Sequence, residues 1–304
     1  MDEYDIIIIG AGPAGLTSAI YSGRQNFRTL ILEKMITGGV GAEVPMMENY
    51  PGFEIIAGKE LIELMKNQAL KHSEIREKEE VKKVELIGDK IKLIANGNEY
   101  LTRAIIISTG SKHRKLEVPG ELDFLGRGVC YCATCDGPLY QGKKVLVIGG
   151  GNSAAQEALY LDNIGVYVAL VHRRDELRAE NYLQDILKEK EIPIFWDSAV
   201  KEIRGNNMGV KSVILHNRKT KENKEITIDG VFISIGDIPS SELAANMGVE
   251  LDSNHYIITD KTQRTNLPRV YAAGDVTGGI RQWVVACSEG AIAALSAYED
   301  LLKR

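Results

Sequence analysis

The sequence predicts an α/β protein with two Rossmann-like domains. Two glycine-patterned strand-to-helix turns carry this reading, one at residues 5–24 and one at 143–164, each followed by a further apolar strand. Length agrees, because 304 residues exceed what one ordinary core organises and suit two domains.

The first turn reads "DIIIIGAGPAGLTSAIYSGR", Asp5 to Arg24. Its short, β-branched run suits a parallel strand covered on both faces. Gly10 stands where the turn is tight, Gly12 where backbone approaches a pyrophosphate, and Gly15 where the helix packs against the strand. Phosphates then rest at the helix N-terminus, where free N–H groups and the dipole favour negative charge. "RTLILE" supplies the next strand and ends in Glu33, at the distance where a carboxylate takes ribose hydroxyls.

The second turn, "KKVLVIGGGNSAAQEALYLDNI", repeats the design with Gly149, Gly151 and then Ala154 at the third position. Asn152 and Ser153 open its helix, and "VYVALVHRR" is the next strand. The place of Glu33 falls to His172, followed by Arg173, Arg174 and, a little later, Arg178. A carboxylate there repels a 2′-phosphate, whereas guanidinium groups bind one through charge-assisted hydrogen bonds. The pattern therefore favours NADPH on the second cradle. Two unlike cradles point to two dinucleotides, FAD paired with NADPH, and so to an electron relay.

"CYCATCDG" places Cys130, Cys132 and Cys135 within six positions. A zinc site needs four ligands, commonly a second pair, and no second CxxC exists, so no metal is expected. A redox dithiol of Cys132 and Cys135 fits better, one thiolate attacking and the other resolving. The turn residues Asp136, Gly137 and Pro138 would present it at a loop or helix start. Asp136 is either a proton relay for the dithiol or a turn acid. Cys130 and Cys287 read as small apolar core residues.

A net charge of −5 gives no footprint for nucleic acid, and no run approaches the roughly 18 apolar residues of a membrane span. The acidic start "MDEYD" is unlike a secretory leader. The expected location is the cytoplasm, where structural disulfides are rare.

In sum of its motifs the chain resembles the low-molecular-weight thioredoxin reductases. "GAGPAGLTSAIY", "ENYPGF", "STGSKHRKLEVPGE", "GRGVCYCATCDG", "VIGGGNSAAQEALYL", "HRRDELRAE", "YAAGDVTGG" and Arg281-Gln282 follow in the family's order over nearly the whole length. The resemblance implies a discontinuous FAD domain, 1–116 and 246–304, with an NADPH domain inserted at 117–245. It implies that Gly274 and Asp275 meet the flavin's ribityl or pyrophosphate region, and that Asn49, Arg281 and Gln282 lie near its ring. Cys132 and Cys135 would be the redox-active disulfide, Cys132 attacking thioredoxin and Cys135 nearer the flavin, with Asp136 as acid and base. Family members are homodimers whose inserted domain rotates, with hinges expected near 115–121 and 234–242. The partner would be thioredoxin or a glutaredoxin-like redoxin.

Three departures stand out. Gly38-Gly39-Val40-Gly41 replaces the common Gly-Gly-Gln-Leu, Trp283 replaces a common alanine, and Cys130 a small residue. Two other readings remain open at this stage. One is a flavoprotein reductase with a different electron donor or acceptor, which the CxxC opposes. The other is a non-catalytic FAD-binding redox sensor, which the arginine cluster opposes.

Overall fold

The computed structural model describes residues 2–44, 47 and 49–303. The chain divides into two compact units, Met1–Lys112 with Ile238–Arg304, and His113–Asp237. The crossings therefore fall at 112/113 and 237/238, earlier than the expected 116/117 and 245/246.

In the first unit, β1 (Asp2–Ile9) leads through the glycine turn into α1 (Pro13–Arg24). β2 (Thr29–Glu33), α2 (Gly58–Ala69) and β3 (Glu74–Glu77) follow, and the three strands lie parallel in the order β3-β2-β1. Ile6 to Ile9 are at most 5% exposed, as a strand with helices on both faces requires. The hairpin β4 (Val81–Ile87) and β5 (Lys90–Ala95) adds antiparallel to the start of β6 (Asn98–Ile107). β6 runs parallel to β1 throughout.

β7 (Ser111–His113) then carries the chain into the second unit. There β8 (Val129–Cys130), the one-turn helix α3 (Ala133–Asp136), β9 (Lys144–Gly149) and α4 (Asn152–Asn163) come first. Next are β10 (Tyr167–Val171), α5 (Asn181–Glu189) and β11 (Ile194–Phe195). An antiparallel layer of β12 (Ser198–Asn206), β13 (Gly209–Asn217) and β14 (Asn223–Thr227) precedes β15 (Gly230–Ser234). The parallel sheet has the order β11-β10-β9-β15-β8.

β16 (Asp237–Pro239) pairs with β7 as a two-stranded ribbon. α6 (Glu242–Asn246), β17 (Val270–Ala272) and α7 (Trp283–Leu302) complete the first unit, with β17 parallel to the end of β6. α7 comes close to α1 because Gly290 has no Cβ, which would strike the Ala14 carbonyl. The Ser18 hydroxyl seals the contact by donating to the Gly290 carbonyl at 3.0 Å.

The ribbon accounts for the shifted crossings. The segment expected as a hinge at 115–121 is fastened inside the second unit by Glu121, which is 2% exposed. Its carboxylate accepts the N–H groups of Leu116 at 2.9 Å and Glu117 at 2.7 Å, and the Tyr131 hydroxyl at 2.6 Å.

Candidate redox and dinucleotide sites

Cys132 and Cys135 are joined as a disulfide, with Cα atoms 5.3 Å apart. Cys132 is the N-cap of α3, in extended conformation, and its sulfur accepts the Cys135 N–H at 3.2 Å. A donor aimed at sulfur favours its thiolate once the bond is reduced. Both cysteines are half-buried. Cys130 is a free, buried thiol. It pairs in register with Phe232 in the parallel sheet, while Cys132 and Cys135 are bonded to each other.

Asp136 stands at the last position of α3 and is partly buried. Burial is the main cause that lifts its carboxyl pKa to about 6, against a smaller lowering by a hydrogen bond with Cys130. A group of this pKa exchanges its proton about a unit below neutrality, which brings it within reach of proton transfer to and from a thiolate. Tyr140, which sequence alone did not single out, stands beside this pair with its hydroxyl 3.6 Å from the Cys130 sulfur.

On the second unit's cradle, no heavy atom lies within 4 Å of where a Cβ would sit on Gly151, the N-cap of α4. The backbone at this helix start is bare, as close approach of a pyrophosphate demands. Arg173, Arg174 and Arg178 are exposed, and among the described residues none forms an ion pair. Their loop is tied to the glycine turn by the Arg178 N–H, which donates to the Gly150 carbonyl at 2.7 Å.

Two residues of the expected set play different parts. His172 is buried, and its Nδ1 lies 2.9 Å from the Gly149 carbonyl, so it carries the proton there. Burial holds its pKa below the ordinary value, and its ring occupies the space a Cβ on Gly150 would need. It shores up the turn from beneath instead of joining the exposed arginines. Asn152 exchanges two hydrogen bonds with Glu180, at 2.9 and 2.8 Å, which engage its amide. Ser153 is exposed on the first turn of α4.

On the first unit's cradle, the place of a Cβ on Gly12 is likewise open, while a Cβ on Gly10 would strike the Ser108 backbone and one on Gly15 the Gly10 carbonyl. Glu33 is buried at the end of β2, accepting the Ala11 N–H at 2.8 Å and the Met35 N–H at 2.9 Å. Asn49 donates to the Gln282 side chain at 3.2 Å, and Arg281 donates to the Tyr256 hydroxyl at 3.1 Å. Asp275 lies 3.4 Å from the Ser111 hydroxyl. Gly274, buried at φ 82°, donates its N–H to Glu289 at 2.7 Å. Glu289 was missed by sequence reasoning. Its one signal is an acid within the apolar stretch of α7, where burial raises its pKa.

Both cradles fit a dinucleotide by the same test, an open helix-start glycine beside a second strand. Among the described residues no cluster of three or more His, Cys, Asp or Glu side chains could hold a metal, and no helix is long and apolar enough to cross a membrane. Two such cradles with a CxxC disulfide define a dinucleotide-dependent disulfide oxidoreductase.

Comparison with known proteins is specific. Residues 4–290 match the family model described as pyridine nucleotide-disulphide oxidoreductase. The thioredoxin reductase of Bacillus subtilis is 43% identical, covering 96% of this chain and 93% of its own. That of Listeria monocytogenes is 41% identical, covering 99% and 95%. The crystal structure of thioredoxin reductase from Streptococcus pyogenes superposes with a TM-score of 0.91 at 39% identity, covering 98% of each chain. The chain belongs to the pyridine nucleotide-disulphide oxidoreductases and, among them, to the low-molecular-weight thioredoxin reductases.

Proposed function

We propose that the protein is an NADPH-dependent thioredoxin-disulfide reductase, with FAD on the first unit's cradle and NADPH on the second. The observation that carries this is the Cys132–Cys135 disulfide at a helix start, next to an acid of raised pKa and in one unit with an arginine-flanked glycine cradle. Gly10, Gly12, Gly15, Glu33, Asn49, Gly274, Asp275, Arg281 and Gln282 would hold FAD. Gly149, Gly151, Ser153, Arg173, Arg174 and Arg178 would hold NADPH, with His172 and Asn152 shaping the cradle. FAD, when bound, takes up a hydride's two electrons and delivers them to a disulfide.

The chain's own residues do the rest. The Cys132 thiolate attacks one sulfur of the thioredoxin disulfide. A Cys132–thioredoxin bond forms, the thioredoxin S–S bond breaks, and Asp136 protonates the departing thiolate. The Cys135 thiolate then attacks the Cys132 sulfur, restoring the internal disulfide and releasing the second thioredoxin thiol. Dithiol and second cradle share the inserted unit, so they must take turns at the flavin. We place the protein in the cytoplasm, as a homodimer, with thioredoxin or a glutaredoxin-like redoxin as partner.

One observation favours a second reading, with a donor other than NADPH. Glu180 is engaged with Asn152 at the start of α4, and a carboxylate there opposes a bound phosphate. The FAD-loaded protein is therefore mixed with thioredoxin and NADPH, NADH or another low-potential hydride donor, beside Cys135→Ser. The expected outcome is thioredoxin-dependent NADPH oxidation that vanishes in the variant. Thioredoxin reduction with another donor but not with NADPH would reassign the second cradle. Undiminished turnover in Cys135→Ser would reject the dithiol route.

A further inference from the structure

The turn between β13 and β14 reaches the arginine loop from the antiparallel layer of the same unit. Lys219 in this turn places its Nζ 2.8 Å from the Asp175 carboxylate and 3.0 Å from that of Asp197. Local hydrogen bonds hold the lysine there. The Asn217 side-chain carbonyl accepts the N–H groups of Lys219 and Thr220, each at 2.9 Å, and Lys221 closes the turn at φ 65°.

Asp197 lies at the corner between β11 and β12, with its side chain 17% exposed. Its N–H donates to the Arg174 carbonyl at 3.1 Å, and its own carbonyl accepts the Arg218 N–H at 2.6 Å. One corner therefore ties the arginine loop to the lysine turn.

The charges in this corner are distributed unusually. Asp175 follows Arg174 directly in the chain, and Asp197 is bonded to Arg174 through the backbone. Carboxylates this close to guanidinium groups ordinarily capture them in charge-assisted, often bidentate pairs. Among the described residues, however, Arg173, Arg174 and Arg178 form no ion pair, and both carboxylates face Lys219. Exposed ion pairs of this kind add little stability. Their consequence here is that the three guanidinium groups stay unclaimed.

We infer that Lys219 is a specificity-determining residue for the nucleotide, which engages Asp175 and Asp197 and so leaves the arginines to a 2′-phosphate. The inference rests on the second cradle being the NADPH site. Without the lysine, Asp175 both repels the phosphate and competes for Arg174. NAD+, which carries a hydroxyl in place of that phosphate, is subject to neither effect.

The test is calorimetric titration of FAD-loaded full-length protein with NADP+ and with NAD+, at low ionic strength, where exposed charges are least screened. Lys219→Met should weaken NADP+ binding roughly five- to tenfold and leave NAD+ binding nearly unchanged. Its unfolding temperature should stay close to that of the wild type. Lys219→Arg, which keeps the charge, should retain the NADP+ affinity. Adding Asp175→Asn to Lys219→Met should restore most of the loss, because the released carboxylate is then gone. NADP+ affinity unmoved by Lys219→Met, or an equal loss for both nucleotides, overturns the inference. No recovery with Asp175→Asn also overturns it, since Lys219 would then hold the phosphate itself. Wild-type protein that binds NAD+ as tightly as NADP+ would instead reject the NADPH reading beneath it.

Discussion

At Gly41 two residues share one volume. The six-membered ring of Trp283 lies 2.9 and 3.0 Å from where a Cβ on Gly41 would sit, with Pro13 at 3.4 Å. The glycine in place of the common leucine, and the tryptophan in place of the common alanine, are thus one exchange of bulk. Trp283 also meets Tyr50 edge-on at 6.3 Å, beside the half-buried Cys287. Its indole nitrogen is buried with no hydrogen-bond partner among the described residues. Gly41→Leu should therefore overpack this corner and Trp283→Ala should empty it, each costing about 1–3 kcal/mol. The double variant should recover about 2 kcal/mol relative to their sum. Urea unfolding of the three proteins reads the coupling, and additive losses would disprove the shared volume.

At the scale of elements, β2 and β3 clamp the loop that leaves the first cradle. Glu33 and Glu77 are partners in the parallel register. Glu33 holds Ala11 and Met35, while Glu77 accepts from the Thr37 N–H at 3.0 Å and hydroxyl at 2.7 Å, and from Lys66 on α2 at 2.7 Å. The Lys66 hydrogen bond first, and then the two from Thr37, pull the Glu77 pKa down to about 2. An acid whose pKa is depressed by folding stabilises above its unfolded value of 4.5, and this is lost as pH falls toward 2. With its side chain about a third exposed, Glu77 should contribute about 1–2 kcal/mol at pH 7 after solvent screening. The gap between wild type and Glu77→Gln should then shrink between those two pH values, and a pH-independent gap would refute the clamp.

The same elements mark what the sequence disclosed. β1, β2, β9 and β10 announce themselves as apolar runs against glycine turns, and Glu33 stands at the end of β2 as its spacing foretold. Counting residues also led to His172, but only burial and the Gly149 carbonyl show that it faces inward. The ribbon at the crossings was not legible because β7 and β16 are three residues each, too short for any period to register, while the anchor Glu121 looks like one more surface acid. Tyr140 and Glu289 earn their places through partners distant in sequence, which spacing within a motif does not encode.

For the molecule as a whole, the decisive feature is that each cradle and its core belong to one unit. The first unit contains Gly12, Glu33 and Gly274, and the second Gly151, Arg173 and Arg174. A ligand that binds only the folded form suppresses the openings that release it, by about 2.7 kcal/mol at a hundredfold excess over its Kd. Amide exchange in the occupied cradle should slow by roughly a hundredfold, because local opening free energies differ across a structure. Adding FAD to the apoprotein should protect residues 10–18 and 274–290, and adding NADP+ should protect 149–158 and 172–180. In Arg173→Ala with Arg174→Ala the NADP+ protection should fade while the FAD protection persists, because only a 2′-phosphate needs those guanidinium groups. Protection by NADP+ at 10–18 would exchange the two assignments. Equal NADP+ protection with and without the arginines would deny them the phosphate and leave the second cradle to a donor that lacks one.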